Sequence, residues 1–93
     1  MEEAWIEADL KKYDGMMKFP EIFYLPSGWV ILFTTNFGDH GFLVKSKQDA
    51  SPREFRTLDE ASKFLHGYGY ESIIVTLSEF PVEQIPKKSK HAR

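Results

Sequence analysis

The chain has 93 residues, no cysteine and a formal charge of −2. That length holds one domain, and the missing thiol excludes disulfide staples, zinc ribbons and cysteine nucleophiles. A slightly acidic balance argues against a dedicated duplex-DNA binder, which needs a basic face for the phosphates.

Eight Phe, two Trp and four Tyr are many rings for so short a chain. No apolar run approaches membrane-spanning length, and Met1-Glu2-Glu3 is unlike the basic start of a secretory leader. The expectation is a cytoplasmic protein.

In chain order, residues 1–13 read as a short helix. Ile6, Leu10 and Tyr13 share helical spacing, as do Met1, Trp5 and Ala8, and Lys11 and Lys12 close it with the charge the dipole favours. Gly15 is then its stop, although Asp14-Gly15 also suits a hairpin turn between two strands. Pro20 and Pro26 bracket E-I-F-Y-L, which fits an edge strand. Pro26-Ser27-Gly28 signals a turn.

Residues 29–35 form the strongest predicted strand. It is apolar on both faces, with Trp29, Ile31 and Phe33 one way and Val30 and Leu32 the other. Such a strand is central and covered on both sides, or it shows an aromatic face to a partner. Residues 36–41 read as a loop and 42–47 as the strand that completes a hairpin. A polar connection follows.

The stretch 52–75 organises the rest. Arg53, Phe55 and Thr57 alternate with Glu54 and Arg56 as a short polar strand. Thr57 is a good N-cap, and Glu60 three residues later can reach back to the Thr57 amide in a capping box. Leu58, Ala61, Phe64 and Leu65 share one helical face, and Gly67 is the expected left-handed stop. Residues 72–78 then read as a strand. Beyond Leu77, two prolines prevent central pairing, and Phe80, Val82 and Ile85 can anchor an extended run.

The expected architecture is α+β: a small antiparallel sheet of three to five strands, one helix packed on it and a short N-terminal helix. Residues 1–86 make the domain, and residues 87–93 a flexible basic tail.

Catalytic patterns are missing. The 36–41 loop could cradle an anion or a metal, yet no phosphate-loop context surrounds it. His40, His66 and His91 form no ligand spacing, and His66 suits a helix C-terminus. No nucleophilic serine motif occurs, and the acid pairs Glu2/Glu3 and Asp59/Glu60 have capping or surface roles. No catalytic residue, metal or cofactor is assigned, and the expectation is a non-enzymatic protein.

Two binding modes remain. Phe37, Asp39, His40, Tyr68 and Tyr70 fall in predicted loops, a composition common at protein interfaces. Alternatively, Trp29, Phe33 and Phe42 stack single-stranded nucleic acid beside Lys45, Lys47, Arg53 and Arg56, with Lys87, Lys88, Lys90 and Arg93 as a basic arm. The sheet rings could equally fill the core.

Arg53, Phe55, Thr57, Leu58, Asp59 and Ala61 follow the pattern R-x-F-x-[ST]-L-[DE]-x-A. With a hairpin before and a strand after, residues 29–77 resemble short proteins of bacterial plasmids, phages and other mobile elements. The resemblance implies a bacterial accessory protein that modulates a host or plasmid complex, and it carries over no site residue.

Overall fold

The structure, a computed structural model, describes residues 2–12, 18 and 20–79. Its elements are β1 (Glu2–Trp5), α1 (Glu7–Lys12), β2 (Glu21–Leu25), β3 (Gly28–Thr34), β4 (His40–Leu43), α2 (Leu58–Gly67) and β5 (Ile74–Glu79). The strands form one five-stranded sheet in the order β1-β4-β3-β2-β5. The α+β class therefore holds, with α2 as the main helix. The Asp14-Gly15 turn, the anchors Phe80, Val82 and Ile85, and the tail 87–93 lie outside the described residues.

The sheet is mixed, not wholly antiparallel. β3 runs antiparallel to β2 and β4, whereas β1 is parallel to β4 and β5 is parallel to β2. Four strands thus share one direction and β3 alone opposes them. A parallel neighbour needs a long crossover, and α2 supplies it by carrying the chain from β4 to the far side of β2.

Residues 2–5 depart from the helical expectation. They pair with β4 in the register Glu2↔His40 to Trp5↔Leu43. A four-residue stretch has little helical tendency of its own, and the open edge of β4 offers it a ladder. The helix starts only at Glu7, where Asp9 Oδ2 accepts the Ile6 amide at 3.0 Å.

Alternation on β3 sorts the rings. Ile31 and Phe33 point to the face under α2 and are fully buried with Ile22, Leu43, Ala61 and Leu65. Val30 points the other way and packs with Leu25, Phe42 and Val44. Both faces of β3 are therefore apolar because both are inside.

The predicted strand around residue 55 is reduced to isolated bridges, Trp29↔Phe55 and Val44↔Pro52. Trp29 and Phe55 exchange two backbone hydrogen bonds, each 2.8 Å. Gly28 permits this approach: a Cβ there would stand 2.8 Å from the Phe55 carbonyl oxygen, and its φ is +155°.

Thr57 caps α2 as expected, in extended backbone (φ −134°, ψ 156°), with its hydroxyl accepting from the Glu60 amide at 3.0 Å. Glu60 reaches past Thr57, however, and accepts the Arg56 amide at 3.3 Å. The stop is also displaced. Gly67 stays in the helix, and Gly69 takes the positive φ, +93°. The Gly69 amide donates to His66 and that of Tyr70 to Leu65, at 3.0 and 3.2 Å, the bonding of a Schellman motif.

Candidate interaction surface

The loop between β3 and β4 is built around Thr35, the one buried polar residue among the described residues, at 3% exposure. Its hydroxyl accepts from the amides of Phe37 and Asp39, both at 3.2 Å. Its own amide donates to the Asp39 carbonyl at 2.7 Å, and the Gly38 amide donates to the Thr35 carbonyl at 3.0 Å. A threonine hydroxyl that takes over backbone amides in this way fixes the turn. Phe37 stands at its tip with 78% of its surface exposed. Asp39 is half-buried and His40 exposed beside it. Sequence reasoning placed Phe37, Asp39 and His40 here but missed Thr35; the signal is a Thr directly before Asn-Phe-Gly-Asp.

Tyr70 is not a loop tip. It follows the helix stop, is half-buried, and its ring lies 5.9 Å from that of buried Phe33. Because Phe33 is two residues before Thr35, Tyr70 supports the end of β3 that carries the Phe37 loop.

Tyr68 sits elsewhere and is engaged within the molecule. Its hydroxyl donates to Glu7 Oε2, and Arg53 Nη1 donates to Glu7 Oε1 at 2.8 Å. The Arg53 guanidinium also covers the rings of Phe64 and Phe55, 4.8 and 5.3 Å from their centroids. Phe64 in turn contacts Phe55 and Tyr68, each at 5.2 Å between centroids. The Tyr68 hydrogen bond, then Arg53, holds the Glu7 carboxyl below its ordinary pKa, and Glu7 pushes the Tyr68 phenol up. Tyr68 and Arg53, assigned to different binding modes on sequence, instead meet at one carboxylate. No local pattern announces Glu7, because its partners lie 46 and 61 residues away.

The expected stacking platform is not assembled. Phe33 is sealed beneath α2 and Phe42 is buried on the opposite face, 0% and 6% exposed. Trp29 is half-buried, edge-on to Tyr24 at 5.3 Å. Lys45 and Lys47 are exposed after β4, where Lys47 helps line a shallow depression of about 250 Å³ with Ala4, Ile6, Asp9 and Val44. Arg56 projects at the start of α2, 3.6 Å from Glu60. Lys87, Lys88, Lys90 and Arg93 lie outside the described residues.

Among the described residues, no three His, Asp or Glu side chains converge on a possible metal position, and no helix is long and apolar enough to cross a membrane. No protein-family model, curated protein or solved structure matches this chain.

Proposed function

We propose that this chain is a small, non-enzymatic binding or regulatory protein of the cytoplasm that acts by contact with another protein, with Phe37 as the anchor. The observation that carries this reading is a large ring, 78% exposed, on a loop whose backbone is already hydrogen-bonded. Rigid aromatic anchors that fill a partner's pocket dominate protein interfaces. A loop ordered before binding also avoids part of the entropy cost of association. Asp39 and His40 would form a polar rim around the ring. The resemblance to mobile-element proteins favours a host or plasmid complex as the partner.

A photoreactive phenylalanine analogue in place of Phe37 tests the assignment in a native lysate. The expected result is one discrete protein adduct at position 37 and none from the same group at Lys63, which is exposed on α2. Equal labelling from both positions, or none from either, would sink it.

A further inference from the structure

The turn that presents Phe37 is held in two layers. Thr34 still pairs with His40 across the β3–β4 ladder, so the strands are closed up to that residue. Two main-chain bonds then join Thr35 to Gly38 and Asp39 and fix the base of the turn, and Gly38 takes the φ of +93° that lets the chain reverse. The amide of Phe37 belongs to the second layer, which is a side chain. It donates to Thr35 Oγ1 at 3.2 Å, as does the amide of Asp39. Phe37 is 78% exposed, and a Cβ on Gly38 would meet nothing within 4 Å. Hydrogen bonds rather than packing therefore hold this tip.

We infer that Thr35 is the positioning residue of the Phe37 site: its hydroxyl sets how tightly the ring binds a partner without touching that partner. The inference rests on Phe37 as the anchor. Thr35 is 3% exposed, so a bound protein meets Phe37 and not Thr35, and any effect of Thr35 on binding passes through the loop. The route is a change of population. A protein whose binding-competent state is only a fraction of the ensemble loses apparent affinity by that fraction. Removing the acceptor of two amides lowers the ordered fraction on the order of tenfold. The main-chain bonds of Thr35 are untouched by that loss and keep β3 and β4 joined.

Two substitutions separate the hydroxyl from the shape. Thr35→Val keeps the branched side chain without the hydroxyl, and Thr35→Ser keeps the hydroxyl without the methyl. Each is placed in the full chain that carries the photoreactive phenylalanine analogue at position 37. The readouts are the chain concentration that gives half-maximal adduct in the native lysate and amide exchange on the free chain. Thr35→Val should lose about tenfold protection at Phe37 and Asp39, keep it along β3, and need about tenfold more chain for the same adduct. Thr35→Ser should restore both. Freed amides with an unchanged adduct concentration, a shifted adduct concentration with the amides still protected, or equal losses in both variants would overturn the inference. Lost protection along β3 would overturn it too, by making Thr35 a residue of the fold alone. Absence of any adduct from the chain with Thr35 intact is a different failure: it removes the anchor, and the role of Thr35 with it.

Discussion

Tyr68 and Glu7, 61 residues apart, meet in a hydrogen bond that ties α1 to the C-terminal end of α2. Arg53 completes the contact from the other carboxylate oxygen while lying over Phe64. The N-terminal segment is thus held by Trp5 and Leu10 in the core and by one carboxylate at the surface.

That carboxylate sets a pH dependence. The folded-state pKa of Glu7 is depressed, so its stabilisation is complete above the ordinary glutamate range and is lost as pH falls through the folded value. The Glu7 and Arg53 side chains are 48% and 36% exposed, and solvent limits the contribution to less than about 1 kcal/mol. Glu7→Gln should lower stability at neutral pH by that amount, and the gap to wild type should narrow as pH falls through the depressed folded-state value. Denaturant titrations at neutral and acid pH check it. Tyr68 has the opposite sign. Its raised pKa means that its contribution is present below the ordinary phenol range and lost as pH rises through the folded value.

The two glycines after His66 should respond in opposite ways. Gly67 lies within α2, and a Cβ there would meet nothing within 4 Å. Gly67→Ala should stabilise by roughly 0.5 kcal/mol. Gly69 has φ +93°, so Gly69→Ala should destabilise by about 1 kcal/mol. Thermal unfolding of the two variants distinguishes the observed stop from the one at Gly67.

Gly28→Ala should cost about 2 kcal/mol, because the new Cβ must push against a backbone carbonyl that is itself hydrogen-bonded. The loss should appear as weakened amide-exchange protection at Trp29 and Phe55, which bond each other there.

Much of this fold was legible in the chain. The N-cap at Thr57, the apolar face Leu58, Ala61 and Leu65, and the central two-faced strand read at 29–35 each rest on local chemistry; the cap and the face stand where that chemistry put them, and the strand runs from Gly28 to Thr34, leaving Thr35 to the loop. What could not be read depends on distant partners. Residues 2–5 become a strand only because β4 lies alongside. Glu7 carries no local signal, and its clasp exists only through the distant Arg53 and Tyr68. Gly67 and Gly69 are both plausible helix stops, and packing of Tyr70 beside Phe33 accompanies the later one. At the candidate surface, composition located the 36–40 segment, but burial separated Phe37 from the other rings. Alternation alone left it open whether Phe33 and Phe42 faced water or core.

Burial also divides the ring substitutions. Phe33 is fully buried, so Phe33→Ala should destabilise by about 3–5 kcal/mol. Tyr70→Ala should destabilise by less, since that ring is only half-buried. Phe37→Ala should leave the unfolding midpoint unchanged, because its ring contributes almost nothing to the core.

The central claim, that this protein acts through the exposed ring of Phe37, is tested most directly by parallel affinity capture from the native lysate with wild type and Phe37→Ala. A polypeptide retained by wild type and lost from the equally folded variant is the predicted result. Retention of the same polypeptides by both would contradict the claim.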